Sequence, residues 1–202
     1  MSQDSDYWKN KWTNRGPEPA SNFARRVFKI INNANFHSVL DVGCGHGRDS
    51  IYFFKKGLEV TATDISESGI KKLKKREGKI NYLLSDLRDL DFPKNSFDVI
   101  YAHLSLHYFD DESTDRIFNN LYKILKKGGL IFVKCKSTDD VVFGKGEKVG
   151  ENMYKYEHVR HFFTKEYMTE KLQKFDILRL RKTSSVYRSY KSSFIEAEAT
   201  KK

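Results

Sequence analysis

The stretch Ser38-Val-Leu-Asp-Val-Gly-Cys-Gly-His-Gly-Arg48 decides the fold. A short apolar run ends in an acid and breaks into Gly43-x-Gly45-x-Gly47, and Asp49-Ser-Ile-Tyr-Phe-Phe54 then has helix-compatible composition. A buried strand therefore runs into a tight turn and a helix. Glycine lets backbone turn sharply and come close to a ligand, and the N–H groups that open the helix point at whatever lies there. The pattern predicts a nucleotide- or nucleoside-binding loop. It is not the dinucleotide fingerprint Gly-x-Gly-x-x-Gly/Ala, because the large charged Arg48 stands where close helix–strand packing needs a small residue. No Gly-Lys-Ser/Thr phosphate loop occurs either.

Three further segments follow in order. Leu58-Glu-Val-Thr-Ala-Thr-Asp64-Ile-Ser66 alternates and ends in an acid, and Ile80-Asn-Tyr-Leu-Leu-Ser-Asp86-Leu87 repeats that design. Ser96-Phe-Asp-Val-Ile-Tyr-Ala102 is a fourth strand, followed by Leu121-Tyr-Lys-Ile-Leu-Lys-Lys-Gly-Gly-Leu-Ile-Phe-Val133, a helix end, a Gly128-Gly129 turn and a strand. One strand-terminal aspartate is an ordinary cap. Three at successive strand ends beside a glycine loop read as a site, since ligands bind at the carboxyl ends of parallel strands.

Together these segments, over roughly residues 36 to 136, resemble the class I S-adenosylmethionine-dependent methyltransferases, with Val39–Gly47 as their first motif. The resemblance implies a Rossmann-like α/β three-layer sandwich on a mostly parallel seven-stranded sheet, its last strand antiparallel. It also implies S-adenosylmethionine as cofactor. Asp64 is then expected to accept from both ribose hydroxyls, and Asp86 and Leu87 to border the adenine. Asp41, Gly43, Cys44, Gly45, Gly47, Arg48, Ile65, Ala102 and Trp12 complete the expected cofactor contacts. Gly45-His-Gly-Arg-Asp-Ser-Ile-Tyr52 and Gly57-Leu-Glu-Val-Thr-Ala-Thr-Asp64 look like the tellurite-resistance and related thiopurine-type small-molecule methyltransferases.

Strand and helix alternate along the chain, which specifies a parallel sheet with right-handed crossovers. Helices are expected over 22–33, 49–56, 66–76, 112–126 and 164–173. Strands are expected over 38–42, 59–63, 80–84, 97–102 and 129–135, with two more at 176–180 and 192–197. The 202 residues suit one domain, with residues 1–20 as an aromatic arm carrying Tyr7, Trp8 and Trp12. Trp8 and Trp12, four apart, share a face if helical. Residues 137–163 break the pattern: a polar, glycine-punctuated stretch predicts a mobile loop, then Tyr154, Tyr156, His158, Arg160, His161, Phe162 and Phe163 crowd together. A long loop at a strand's carboxyl end is usually functional, so this insertion is the expected substrate lid.

A net charge of +10 raises a nucleic-acid reading. Much of the excess sits in Lys71–Arg76 and Lys123–Lys127, expected to be exposed helix faces. Ala102-His-Leu-Ser105 lacks the Asn/Asp-Pro-Pro-Tyr/Phe run of adenine-type enzymes, and Lys134 rather than proline precedes Cys135. Two separated cysteines argue for a reducing cytoplasm, no Cys/His cluster has metal-site spacing, and no signal or membrane segment is evident. The expected function is methyl transfer to a small molecule. An RNA or protein methyltransferase, or a non-catalytic S-adenosylmethionine-binding module, is the alternative. The sulfonium methyl group is already electrophilic, so positioning dominates. His103, His107, Arg160 and His161 are the acceptor-side candidates: the two former follow the fourth strand, and Arg160 suits an anionic group.

Overall fold

In the computed structural model, which describes residues 7, 8, 12, 16–187 and 190–202, the strand-end pattern produces the expected α/β sandwich. The strands are β1 (Ser38–Val42), β2 (Glu59–Asp64), β3 (Asn81–Leu84), β4 (Phe97–His103), β5 (Leu125–Lys136), β9 (Asp176–Tyr187) and β10 (Tyr190–Thr200). They form one sheet in the order β3-β2-β1-β4-β5-β10-β9. The first five are parallel, and β10 runs antiparallel to both β5 and β9. The chain order reverses between β1 and β4, which opens a crevice at the carboxyl ends.

Strand residues alternate between two cores, as the period of two requires. Val39, Val99, Tyr101, Leu130 and Phe132 face one layer, where they meet helices α1 (Asn22–Asn33), α2 (Arg48–Lys55) and α3 (Glu67–Arg76). Leu40, Val42, Ile100, Ala102, Ile131 and Val133 face the other, against α4 (Asp111–Ile124) and α5 (Lys165–Lys171). Each helix start has a physical cause. Ser21, Ser66, Asp110 and Thr164 cap α1, α3, α4 and α5 by accepting a backbone N–H with their side chains.

The structure corrects several boundaries. α4 stops at Ile124, so Lys126 and Lys127 belong to the start of β5 rather than to a helix face. The expected Gly128-Gly129 turn is a break in register instead, with Phe97 opposite Leu125 and Val99 opposite Leu130. The tail strands are about twice as long as expected because Ser184–Tyr187 of β9 also pairs with Tyr190–Ser193 of β10, where the sequence gives no apolar alternation.

Residues 137–163 are not an unstructured loop. They contain a three-stranded antiparallel sheet, β6 (Glu147–Gly150), β7 (Met153–Lys155) and β8 (Val159–His161). Left-handed Asn152 makes the β6–β7 turn. Asp140 pins the preceding segment, accepting from the Ser193 and Val142 N–H groups and from Lys136 Nζ. The sequence signalled only punctuation because each strand is three or four residues long. The shared helical face expected for Trp8 and Trp12 involves residues 9–11, which lie outside the described residues.

Candidate active site

A cavity of about 600 Å³ opens over the carboxyl ends of β1, β2 and β4. Its floor is the loop after β1. Gly43, Gly45 and Gly47 all have positive φ, at 75, 57 and 72°, a region that side chains rarely adopt. A Cβ on Gly43 would lie 2.4 Å from Ser105 Cβ, and one on Gly45 would lie 3.0 Å from the Trp12 ring. The loop is therefore glycine because backbone, β4 and arm converge there. Trp12 stacks on His46 and Trp8 on Trp12, with ring centroids 5.4 and 5.9 Å apart. Trp8 also meets Tyr108 edge-on at 4.8 Å and His158 at 5.4 Å. Val149, Met153 and Val159 of the small sheet line the cavity from above.

Acids rim this floor. Asp64 ends β2, and its Oδ2 accepts the Gly45 N–H at 2.8 Å while Oδ1 accepts the Ser66 N–H at 2.9 Å. Burial raises its pKa despite those bonds. Asp41 is buried under the loop, where the Ser50 hydroxyl donates to it at 2.5 Å. Burial, reinforced by Asp49 and Asp64, pushes it up to about 8. Asp86 is engaged locally: it accepts from the Arg88 N–H, Nε and Nη2 at 2.9, 3.0 and 2.5 Å. Despite partial burial, the guanidinium holds this carboxyl below its usual value.

A second buried cluster was invisible to sequence reading. Asp49, in the first turn of α2, accepts from the Ser21 N–H at 2.7 Å, the Ser21 hydroxyl at 2.9 Å and the Tyr101 hydroxyl at 2.8 Å. His103 Nδ1 lies 3.2 Å from the same carboxylate. Burial favours the neutral acid, yet the His103 contact, the Ser21 N–H and nearby Arg48 outweigh it and leave Asp49 well below the usual carboxylate range. Burial lowers the His103 pKa against the pull of Asp49. The helix-starting acid looked like a routine first-turn residue. Only the folding of Ser21 and β4 onto it reveals the cluster.

Of the expected cofactor residues, Trp12, Asp41, Gly43, Cys44, Gly45, Arg48, Asp64, Ile65, Asp86 and Leu87 line the cavity. Gly47 and Ala102 do not. Gly47 is the left-handed cap of α2 packed against Leu73, and Ala102 is in the core facing the α4 layer. Of the acceptor-side candidates, His103 lines the cavity, whereas His107, Arg160 and His161 do not. His107 is fully buried behind Tyr108. Arg160 acts on the Tyr108 hydroxyl. His161 is buried against Phe163 and Tyr167. The spacing that suggested an anion site places these side chains in the packing between β8 and the 106–108 turn.

The residues present fit a nucleoside cofactor bearing an amino acid. The glycine floor admits close approach, and the Asp64 carboxylate, with about four acceptor positions, keeps capacity beyond its backbone bonds from Gly45, Ile65 and Ser66. Ser105 lines the cavity, and its buried Oγ has no hydrogen-bond partner among the described residues, so it is a group a ligand could satisfy. A cavity at the switch point of a doubly wound sheet, floored by glycines and rimmed by three strand-end acids, has the layout of an α/β cofactor-binding fold.

Residues 39–129 match the family described as a methyltransferase domain. That match takes in a little under half of the chain, and over it the sequence is similar to a methyltransferase domain. It is 31% identical to a malonyl-[acyl-carrier protein] O-methyltransferase of Salmonella typhimurium over 54% of this chain and 42% of that one. It is also 31% identical to the human mitochondrial protein named arginine-hydroxylase NDUFAF5, over 65% of this chain and 40% of that one. The chain therefore spans about two fifths of the length of these curated relatives. Among solved structures it resembles a Burkholderia thailandensis 1,6-didemethyltoxoflavin-N1-methyltransferase, with TM-score 0.72 and 20% identity over 98% of this chain and 84% of that one. It likewise resembles TehB from Haemophilus influenzae, with TM-score 0.71 and 22% identity over 98% of this chain and 67% of that one. Both likenesses concern the fold.

Proposed function

We propose that this protein transfers the methyl group of S-adenosylmethionine to a small-molecule acceptor held inside the cavity. The observation that carries this reading is the cavity's lining. Trp8, Trp12, Tyr108, Val149, Met153 and Val159 line the cavity together with the glycine floor, leaving a volume within the ~300–1,000 Å³ that suits a small ligand. A cavity of that size, walled by aromatic and apolar side chains, favours a small acceptor over a polymer. The bound cofactor supplies an electrophilic methyl group on a sulfonium centre. The protein's part is to bind, to orient and to exclude water. Asp64 holds the ribose, Leu87 packs beside the base, and Asp41 with Ser105 faces the amino-acid end. The small sheet β6–β8 is the lid.

The RNA or protein reading gains little from the charge. Lys71, Lys72, Lys74, Lys75 and Arg76 lie exposed on α3, outside the cavity lining, as a solvated helix face does. No helix among the described residues is long and apolar enough to cross a membrane, and Cys44 and Cys135 are free thiols. Two free thiols suit a reducing compartment, which supports a cytoplasmic location as part of this proposal.

Calorimetry with S-adenosylhomocysteine, an Asp64→Ala variant and an NADH control tests the cofactor. Saturable binding by the wild type, with no response to NADH, supports the reading. Methyl-labelled cofactor is then incubated with a small-molecule extract, total RNA and total protein. Label in the first fraction supports the proposal, and label in either polymer overturns the acceptor class. Binding without transfer to any fraction reduces the chain to a cofactor-binding module, or to a fold used for other chemistry as the relative named a hydroxylase implies for itself.

A further inference from the structure

Asp49 and His103 meet at the inner wall of the cavity, and both line it. The Asp49 carboxylate is well occupied: Oδ1 takes the Ser21 N–H with Arg48 Nε at 3.8 Å, and Oδ2 takes the hydroxyls of Ser21 and Tyr101 with His103 Nδ1 at 3.2 Å. An ionised carboxylate can only accept, so this contact holds a proton on Nδ1. A neutral imidazole carries one proton, so Nε2 is then the basic nitrogen of a side chain that lines the cavity. The ring is fixed as well as the tautomer. Phe23 of α1 lies 5.5 Å from it and Tyr101 6.0 Å, centroid to centroid, and its side chain is 12% exposed.

We propose that His103 is a proton acceptor held by the positioning residue Asp49, and that the methyl acceptor is accordingly an O–H or N–H acid that enters the cavity still protonated. This rests on the methyl-transfer reading and narrows it. A thiolate or another soft anion needs no base, whereas a neutral hydroxyl or ring N–H does. As the acceptor's lone pair forms its bond to the methyl carbon, the carbon–sulfur bond breaks with its electrons left on sulfur. The acceptor's proton passes to Nε2. The resulting imidazolium is neutralised by Asp49 until the proton leaves to solvent, so atoms and charge balance without another reactant.

The groups facing His103 set its working range. Asp49 of α2 favours the imidazolium, while burial and the cations Lys134 of β5 and Arg48 of α2 oppose it. Tyr101 donates to Asp49 rather than to the ring. The base is therefore neutral and ready at pH 7, and its conjugate acid is held weak enough to give the proton up.

The tautomer can be read without knowing the acceptor. Protein carrying ¹⁵N-histidine, saturated with S-adenosylhomocysteine, is recorded by long-range ¹H–¹⁵N correlation at pH 7.5, with His103 assigned by its loss in His103→Gln. The expected spectrum shows Nδ1 protonated and Nε2 bare, and Asp49→Asn abolishes that preference. A proton on Nε2, or an imidazolium, overturns the pair. If Asp49→Asn fails to fold, Tyr101→Phe serves: it leaves the Asp49–His103 contact in place, so the tautomer persists, and its loss overturns the assignment. With the labelled acceptor fraction in hand, His103→Gln lowers kcat by about 10²–10³ and removes the acid limb of the pH profile. An unchanged profile overturns the proposal. Failure of S-adenosylhomocysteine to bind at all sinks the methyltransferase reading instead, and calorimetry shows that separately.

Discussion

Asp64 holds Gly45: the carboxylate at the end of β2 accepts the loop N–H at 2.8 Å, across the crevice into which the sheet opens. The same side chain thus shapes the glycine floor and faces the cavity. Asp64→Ala leaves the Gly45 and Ser66 N–H groups unpaired in a buried setting and removes the ribose acceptor. Hydrogen bonds to charged groups contribute roughly 1.5–3 kcal/mol, so S-adenosylhomocysteine affinity falls about 10- to 100-fold by calorimetry. An unchanged Kd would detach this acid from the cofactor.

Asp41 makes cofactor binding depend on pH. Its carboxyl, raised to about 8 by burial and by Asp49 and Asp64, is mostly protonated at pH 7 in the free protein. A cationic ligand in the same cavity favours the ionised form. Affinity for S-adenosylmethionine therefore rises between about pH 6 and 9, and binding at pH 7 releases protons, which appears as a dependence of the heat on buffer ionisation enthalpy. Asp41→Asn flattens both. The stability sign is the reverse. A folded pKa above the unfolded one gives stability that is complete below the unfolded value of about 4 and is lost as pH rises through about 8. Urea titrations from pH 5 to 9 should show the wild type losing ground to Asp41→Asn.

The order of elements was legible because each strand ends in a punctuation mark: Asp41 before glycines, Asp64 before Ile65-Ser66, Asp86 before Leu87. These residues sit where local chemistry alone puts them. What was not legible depends on contacts between distant segments. Asp49 reads as a helix-starting acid until Ser21 and His103 fold onto it. Arg160 reads as an anion receptor until β8 sets it against the Tyr108 hydroxyl, outside the cavity lining. Ala102 reads as site-facing from its place at the end of β4, but the strand's alternation turns it toward the α4 layer, while His103, next along, reaches the cavity. The β6–β8 sheet was missed because strands of three or four residues give no usable period, and its turns look like loop composition.

Asp98 anchors the start of β1 from the neighbouring strand. It accepts from the His37 and Ser38 N–H groups, the Ser38 hydroxyl and Lys126 Nζ at 2.7–3.1 Å. Although burial opposes it, these partners lower its pKa to about 2. A depressed carboxyl adds stability above its unfolded value of about 4 that is lost as pH falls through about 2. Allowing for solvent screening, Asp98→Asn costs about 1–2 kcal/mol at pH 7. Urea denaturation at pH 7, 4 and 2.5 checks the sign, since the gap between variant and wild type closes toward acid.

The chain has two tryptophans, Trp8 and Trp12, and both line the cavity. Intrinsic fluorescence therefore reports directly on occupancy, without a label. Trp12 rests on Gly45 and stacks on His46, close to the floor, while Trp8 packs against Tyr108 and His158. S-adenosylhomocysteine should change the emission of the Trp8→Phe variant, which keeps only Trp12, more than that of Trp12→Phe. Trp12→Ala should weaken binding roughly tenfold, because an aromatic contact worth about 0.5–1.5 kcal/mol goes together with its share of buried area. Its effect on thermal unfolding should be small, since neither ring belongs to the two cores on the faces of the sheet. If saturating S-adenosylhomocysteine leaves both single-tryptophan spectra unchanged, the arm does not cover the cofactor. The walling of the cavity, and with it the argument for a small acceptor, would then fall to the β6–β8 lid alone.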